Sequence, residues 1–348
     1  MKQPTMTPST NANWLAQVQE EALEPRLPIV DPHHHLWEFR DERVAHRYLL
    51  DEILADVNSG HNIVATVHIE CGSMYCADHE PPYQVIGETE FVNGIAAMSA
   101  SGLYGECRIA AGIIGTIDLR SGEHVGTLLD MHIAAGAGRF RGIRSQASWD
   151  QAGVAKSGRN VTGPDLFVDP EFHSGFAQLA SRNLSFEAWC YHPQIPQVTE
   201  LARAFPETTI VLDHFGGPLG EGNHASQKDE IYKQWKKDIT ELARCDNVMA
   251  KLGGINMELN GFDWHHKSAP PDSETLMQAT RHYYEFTIEQ FGINRCMFES
   301  NFPVDMCSCS YTVLWNSFKR LTAGYSDSDK AALFHDNASR IYRLGLHG

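Results

Sequence analysis

The chain has 348 residues, of which 42% are hydrophobic and 21% charged, a composition typical of a globular protein with enough length for one large domain. The formal net charge of −16 argues against nucleic acid or an anionic membrane as the main partner, because both require clustered Lys and Arg. No run approaches the ~20 apolar residues that span a bilayer, and the N-terminus lacks the apolar core of a signal peptide, so we expect a cytoplasmic location.

The predicted elements begin after an N-terminal extension. Residues 1–28 are polar with several prolines and predict one short amphipathic helix at 14–23, in an arm that packs on the main domain or on the partner in a homodimer. From residue 29 onward, short apolar strands alternate with stretches of helical length. The predicted strands are 29–33, 62–70, 108–115, 140–145, 184–190, 209–213, 247–252 and 295–300. The predicted helices are 47–59, 85–100, 123–135, 170–182, 195–205, 228–245, 273–291 and 311–323, with a closing helix at 328–344.

Eight apolar strands, most followed by a helix, predict a (β/α)8 (TIM) barrel over 29–348, because parallel strands buried on both faces read as continuous apolar runs. An open doubly wound sheet is the alternative, and the lack of a G-x-G-x-x-G motif after any strand disfavours it. Three long connections, 71–82, 145–169 and 253–272, follow the C-terminal ends of strands, where a barrel builds its active site. We expect them to be substrate loops, with surface decoration as the alternative.

The first strand runs into the segment 29–37, Ile-Val-Asp-Pro-His-His-His-Leu-Trp. In an extended backbone, His33 and His35 project to the same side and His34 to the other. Two imidazoles on one face can hold a metal ion or polarise a carbonyl, whereas a His-rich run can also be a tag or a solvated turn. The internal position of this run, beside an apolar strand, favours the functional interpretation.

Polar residues also gather at the C-terminal ends of the other predicted strands. They are Glu70 after the second strand, Arg141 and Arg144 on the fourth, Tyr191 and His192 after the fifth, Asp213 and His214 after the sixth, and Glu299 and Asn301 after the eighth. Since these ends meet at one rim of a barrel, we expect the side chains to converge on one site.

Four segments resemble the amidohydrolase superfamily: Asp-Pro-His-His-His-Leu-Trp at 31–37, Phe-Arg-Gly-Ile-Arg at 140–144, Val-Leu-Asp-His-Phe-Gly-Gly-Pro at 211–218 and Met-Phe-Glu-Ser-Asn-Phe-Pro at 297–303. They are similar in particular to the amidohydrolase 2 group, which contains sugar-lactone and 2-pyrone-4,6-dicarboxylate lactonases and related decarboxylases. The H-x-H pair is weak by itself, but together with the 211–218 segment it is quite specific.

The resemblance implies a barrel in which His33, His35 and His214 surround the reacting carbonyl. In such families, the two histidines of the first strand either ligate a divalent metal or, in metal-free lactonases, bind the substrate by hydrogen bonds. One zinc ion on His33, His35 and His214 is therefore possible, and a metal-free site is the alternative. Arg144 matches the family arginine that pairs with a substrate carboxylate or lactone oxygen, and the alternative is a structural salt bridge.

The fourth segment departs from the family pattern. Related sequences read Gly-Ser-Asp-x-Pro there, with the Asp as general acid/base or metal ligand, whereas Asn301 occupies the Asp position in this chain. An amide cannot accept a proton from water at neutral pH. We expect Glu299, two residues earlier and on the same side of an extended strand, to supply the carboxylate, with Asn301 orienting water or substrate; loss of hydrolytic activity is the alternative.

Other candidates are substrate contacts. Trp149 and Trp264 lie in long loops and predict apolar walls at the barrel mouth, and Arg141, Glu70 and His192 are predicted polar contacts. We expect Lys251 to be a structural strand residue, with a carboxylated bridging lysine as the alternative. Together these features predict a hydrolase that opens a lactone or similar cyclic ester of a carboxylated or sugar-acid compound. The expected substrate is a small molecule that is anionic or lactone-like. A metal-dependent decarboxylase of an aromatic or unsaturated acid, and a non-catalytic binding protein on the same barrel, are the alternatives.

Overall fold

The structure is a computed structural model, which describes residues 8–39, 45–151 and 163–346. Eight parallel strands form one sheet in chain order, and β1 also packs against β8, with an isolated bridge between His34 and Phe302. The strands are β1 (Pro28–His34), β2 (Asn62–Ile69), β3 (Arg108–Gly115), β4 (Phe140–Ala147), β5 (Ser185–Cys190), β6 (Ile210–Leu212), β7 (Val248–Leu252) and β8 (Cys296–Phe298). The predicted (β/α)8 barrel is confirmed, and every strand begins and ends within two residues of its prediction.

Helices alternate with the strands and cover the outside of the barrel. They are α1 (Pro8–Leu15), α2 (Leu50–Val57), α3 (Ile86–Ala100), α4 (His124–Ala135), α5 (Pro170–Phe176), α6 (Ile195–Ala204), α7 (Lys228–Leu242), α8 (Ser273–Phe291), α9 (Tyr311–Leu321), α10 (Asp327–Ala331) and α11 (Asn337–Ile341). One π-helical turn, Ala332–Asp336, joins α10 to α11, so the predicted closing helix is present and ends at Ile341.

The helix predicted at 14–23 is wrong, because α1 ends at Leu15. Beyond it, the backbone makes tertiary hydrogen bonds in place of helical ones. The backbone N–H of Leu23 donates to Oδ1 of Asn316 at 2.8 Å, and Nζ of Lys319 donates to the carbonyl oxygens of Leu23 and Glu24 at 2.7 and 3.0 Å. The described part of the N-terminal arm therefore packs on the barrel of its own chain.

The barrel interior is apolar toward the N-terminal ends of the strands. Inward-facing residues such as Val67, Val211, Met249 and Met297 form a buried cluster that Tyr342, just after α11, closes from below. Within the described ranges, no helix is both long and apolar enough to cross a membrane. The three long connections start at the C-terminal ends of β2, β4 and β7, and residues 152–162 of the second lie outside the described residues. Because this apolar cluster fills the N-terminal part of the barrel, the buried polar side chains lie at the C-terminal end.

Candidate active site

Seven buried polar side chains meet inside the barrel at the C-terminal ends of its strands. We call this group the inner cluster; its members are His33 (β1), Arg144 (β4), Glu187 (β5), Asp213 and His214 (after β6), Lys251 (β7) and Glu299 (after β8). Each is at most 5% exposed. Buried charges are stable only when they are paired, so the pairing within the cluster defines what it can do.

Glu299 bridges two imidazoles. Its Oε1 lies 2.7 Å from Nδ1 of His214, and its Oε2 lies 2.7 Å from Nδ1 of His33. The rings of the two histidines are 4.5 Å apart between centroids. A proton on Nδ1 of His214 lets that nitrogen donate to Oε1 of Glu299 and leaves Nε2 of His214 with a lone pair that can accept a proton.

His33 is held neutral. Burial, and then the charge of Lys251, hold the pKa of His33 well below its usual range. Both of its nitrogens face cations, since Nε2 lies 3.4 Å from Nη1 of Arg144 and Nδ1 lies 3.2 Å from Nζ of Lys251. The predicted partner His35 lies next to His33, with ring centroids 4.9 Å apart, and its Nδ1 donates to the carbonyl oxygen of Ile69 at 2.8 Å. The structure thus brings together the three histidines that the sequence predicted.

Arg144 is already paired within the protein. Its Nε donates to Oε1 of Glu70 at 2.8 Å, and its Nη2 donates to the Glu70 carbonyl oxygen. Its Nη1 lies 3.6 Å from Oδ2 of Asp213. Gln146 donates to the same Oε1 of Glu70 at 2.8 Å. The arginine therefore positions Glu70 and Asp213 beside His33.

Lys251 lies on β7, as expected, and is a central member of the inner cluster. Its Nζ lies 2.7 Å from Oε2 of Glu187, 3.2 Å from Nδ1 of His33 and 3.5 Å from Oδ1 of Asp213. Burial opposes its charge, but the carboxylates of Glu187, Asp213 and Glu299 raise the pKa of Lys251 above its ordinary value. The side chain is therefore an ammonium ion deep in the barrel.

Glu187 and Tyr342 were missed by the sequence analysis. Burial raises the pKa of Glu187 well above its usual range, and its Oε1 accepts a hydrogen bond from the Tyr342 hydroxyl at 2.5 Å. Burial also opposes the charge of Asp213, but Lys251, His214 and Arg144 hold the pKa of Asp213 below its ordinary value. A lone glutamate at an inward position of an otherwise apolar strand is the signal that could have identified Glu187.

The backbone after β6 is strained where it presents His214. His214 and Phe215 have φ values of +51° and +58°, a region that residues other than glycine rarely occupy and that often marks functional sites. The segment after β7 makes room for the imidazole, since a Cβ on Gly254 would lie 2.1 Å from Nδ1 of His214. Only glycine fits there.

Asp31 fixes β1 relative to the segment after β8. Its Oδ1 accepts from the backbone N–H of Ser300 at 3.0 Å, and its Oδ2 accepts from the hydroxyls of Ser300 and Tyr311 at 2.6 and 2.9 Å. Burial raises the pKa of Asp31 to about 6. Because Glu299 directly precedes Ser300, this network sets the distance between Glu299 and His33.

Asn301 is buried, and its Nδ2 donates to Oδ1 of Asp305 at 2.9 Å. Asp305, which the sequence analysis did not single out, is itself fully buried, and desolvation raises its pKa to about 7. His214 and Glu299 are close enough to influence this pKa. The amide at the position of the family aspartate thus contacts a second carboxyl group four residues later.

Besides Glu70, four predicted contacts lie outside the inner cluster. Arg141 is at the opposite end of β4, where its Nε donates to the Tyr342 carbonyl oxygen at 2.5 Å and its Nη1 to that of Gly138 at 2.7 Å. The prediction failed for Arg141 because residues three apart on a strand face opposite sides and lie about 10 Å apart along it. Trp264 is buried, stacks on Phe262 and carries Lys267 over its ring at 3.9 Å.

The other two contacts belong to loops near the mouth. Nδ1 of His192 accepts from the backbone N–H of Leu219 at 3.3 Å, and burial lowers the pKa of His192 to about 4. Trp149 is half-buried, and its carbonyl oxygen accepts from Nε2 of Gln194 at 3.1 Å. Both therefore tie loops together.

Three members of the inner cluster could hold one metal ion. Ligand atoms of His33, Asp213 and His214 all lie within 4.8 Å of one another, and two imidazoles with a carboxylate are a donor set that suits a divalent transition metal. The group that fits includes Asp213, whereas the sequence had suggested His35 as the third ligand. The site is thus compatible with a single ion.

A (β/α)8 barrel with histidines, carboxylates and cations gathered at the C-terminal ends of its strands defines an enzyme of the amidohydrolase type. The chain belongs to the amidohydrolase 2 family, because the family model described as "Amidohydrolase" matches residues 30–344.

Similar proteins are known from bacteria. The chain is 34% identical over 336 residues to "Uncharacterized protein y4mH" of Sinorhizobium fredii, covering 91% of this chain and 99% of that protein. It is 28% identical over 243 residues to an L-fucono-1,5-lactonase of Burkholderia multivorans, covering 69% and 73%. A crystal structure of an amidohydrolase from Burkholderia multivorans with bound Zn superposes with a TM-score of 0.69 at 22% identity, covering 91% of this chain and 99% of that one. That likeness shows the fold.

Proposed function

We propose that this protein is a lactonase that hydrolyses the ring ester of a sugar lactone. The observation that carries the proposal is the bridge from Glu299 to His33 and His214, which leaves a lone pair on Nε2 of His214, next to a His33 ring whose two nitrogens face the buried cations Arg144 and Lys251. The similarity to an L-fucono-1,5-lactonase over 69% of the chain supports the same chemical class.

In the proposed reaction, Nε2 of His214 takes a proton from the water molecule that attacks the lactone carbonyl carbon. Glu299 holds the required tautomer of His214 and stabilises the imidazolium that forms, as a carboxylate does for a catalytic histidine in other hydrolases. The ring C–O bond then breaks, and the proton passes from His214 to the leaving oxygen, which gives the open hydroxy acid. Glu299 would thereby replace the aspartate that is absent at Asn301.

The negative charge on the carbonyl oxygen needs a positive potential nearby. Arg144 and Lys251 lie 3.4 and 3.2 Å from the two nitrogens of His33, and both are buried, so their field is weakly screened. We infer that they stabilise the oxyanion without releasing their own carboxylate partners.

A divalent ion, when bound, would polarise the carbonyl and lower the pKa of water. His33, Asp213 and His214 would hold it, and Zn in the related amidohydrolase is a reason to look for it. An ion would occupy the lone pair of His214, so these two roles of His214 exclude each other. The metal content of the active enzyme decides between them.

The test uses full-length protein purified without a His tag. Turnover of five- and six-membered sugar lactones is followed by acid release, CO₂ release is followed from aromatic and unsaturated acids, and metal content is measured by mass spectrometry. Lactone turnover that persists after dialysis against a chelator supports His214 as base. CO₂ release that depends on bound metal, without lactone turnover, would replace the proposal by the decarboxylase. Ligand binding with neither reaction would favour the non-catalytic alternative.

A further inference from the structure

A separate cavity of about 250 Å³ opens beside the inner cluster, at the C-terminal ends of β2, β3 and β4. Glu70 belongs to both places. It lines the cavity, and its Oε1 accepts from Nε of Arg144, whose Nη1 lies 3.4 Å from Nε2 of His33. The cavity therefore starts one side chain away from the His33 imidazole.

The volume fits part of a substrate. A water molecule takes about 30 Å³ in the liquid, so the cavity has room for roughly eight water-sized groups. Pockets that enclose a whole drug-sized ligand usually span about 300–1,000 Å³. A substituent of a few carbons with their hydroxyls is the size that fits.

The loop over the cavity is held in place by the protein itself. Glu88 of α3 accepts hydrogen bonds from the backbone N–H groups of Cys71, Gly72 and Ser73 at 2.8, 3.2 and 3.3 Å. These residues begin the 71–82 loop, which supplies Tyr75 and the proline pair at 81–82 to the lining. A preformed wall of this kind can select among substrates.

The charges around the cavity disfavour an anion. Among the described residues, Glu70 and Asp118 both line it, and Arg120 is the cation in the lining. Asp118 holds that guanidinium through two hydrogen bonds, from Nε to Oδ1 at 2.9 Å and from Nη2 to Oδ2 at 3.0 Å. Glu70 is held by Nε of Arg144, so a substrate carboxylate would meet two carboxylates and guanidinium groups that already have carboxylate partners, whereas hydroxyl groups can donate to the carboxylate oxygens.

We propose that this cavity is a specificity subsite for an uncharged, hydroxylated substituent of the substrate, and that the pairing of Asp118 with Arg120 keeps carboxylated substituents out. The inference rests on the proposed lactonase function, and it specifies which lactones the enzyme accepts. Gln146, hydrogen-bonded to Glu70, presents an amide to the same space.

The test substitutes Asp118→Asn. Asparagine keeps an oxygen that can accept the backbone N–H of Arg120, now bonded to Oδ1 at 3.0 Å, while the loss of charge weakens the attachment of the guanidinium that lines the cavity. We expect the ratio of kcat/KM for an uncharged sugar lactone to that for a lactone bearing a carboxylate to fall roughly tenfold, the size of one charge-assisted hydrogen bond. In the double variant Asp118→Asn/Arg120→Gln, the guanidinium is absent, so kcat/KM for the carboxylated lactone should not rise and the ratio should return toward the wild-type value.

The matched control is Asp130→Asn. Asp130 clamps Arg182 by the same pair of hydrogen bonds, at 2.7 and 3.2 Å, and does not line the cavity. It should leave the ratio unchanged. A wild-type preference for the carboxylated lactone, or an unchanged ratio in Asp118→Asn, would overturn the subsite. The proposed function would stand in either case, because the enzyme would still hydrolyse lactones.

A wild-type enzyme that opens no lactone would instead overturn the proposed function. The subsite is then tested by calorimetric binding of a sugar alcohol and of its dicarboxylic counterpart. An unchanged ratio of the two dissociation constants in Asp118→Asn would overturn the subsite as well.

Discussion

Strand β1 buries histidines on both of its faces, and the two faces behave differently. His33 and His35 point into the barrel, where His33 and His214 share the carboxylate of Glu299. His34 points outward, and its Nε2 lies 2.9 Å from Oγ1 of Thr66. Burial lowers the pKa of His33 and of His34 well below the usual range, so both are neutral.

His132 of α4 extends the outward group. Its Nδ1 accepts from the Thr89 hydroxyl at 2.8 Å, its Nε2 donates to the Thr116 carbonyl oxygen at 3.2 Å, and its ring stacks on Phe140 at 4.9 Å. Both nitrogens are engaged in holding helices to strands. His214 differs in that its Nδ1 shares the carboxylate of Glu299 with His33, and its proposed role as a base depends on that arrangement.

The largest expected effect is that of Glu299→Gln. The change removes the charge that stabilises the His214 imidazolium, so kcat/KM for a sugar lactone should fall about 10²- to 10⁴-fold, measured by steady-state kinetics. Asn301→Asp, which adds a carboxylate at the family position, should change kcat/KM by less than about tenfold. Full turnover by the Gln variant would show that Glu299 does not act in this way.

The contribution of the buried, neutral His132 to stability is tested by the pH dependence of unfolding. Burial lowers the pKa of His132 to about 4, whereas its unfolded value is near 6.5. The neutral ring is favoured in the folded state, so this stability is complete above pH 6.5 and is lost as pH falls from 6.5 to 4, by about 3 kcal/mol. Urea unfolding of wild type and His132→Gln across this range should give a shallower pH dependence in the variant. Parallel curves would contradict the assignment, and lactone turnover at pH 7 should survive the change.

A smaller loss of kcat/KM is expected for Arg144→Lys, and almost none for Arg141→Lys on the same strand. Arg144→Lys keeps the charge but loses the planar fork on Glu70, so kcat/KM should fall about 10- to 100-fold. Arg141→Lys is the matched substitution at the other end of the strand, where the guanidinium caps carbonyl oxygens. We expect kcat/KM within twofold and a free energy of unfolding lowered by about 1 kcal/mol. Equal losses of activity in both variants would argue against this division.

The candidate site was predictable in part. Strand alternation places His33 and His35 on one face, and the resemblance of the 211–218 and 297–303 segments to a family placed His214 and Glu299 with them. Lys251 and Glu187 were not recognised, because a single charged residue in an apolar strand can equally be a surface edge or a buried pair. Trp264 looked like a wall of the mouth from its loop position, but its neighbours Phe262 and Lys267 enclose it.

The sequence by itself determined the barrel and the common face of His33 and His35, because apolar runs, two-residue alternation and helix lengths are local properties of the chain. Only the tertiary structure decided which charges meet. Glu187 and Lys251 are 64 residues apart, and Glu299 and His33 are separated by most of the chain, yet each pair lies 2.7 Å apart. Electrostatic energy depends on that distance and on burial, and both are fixed by the register and closure of eight strands rather than by any single segment.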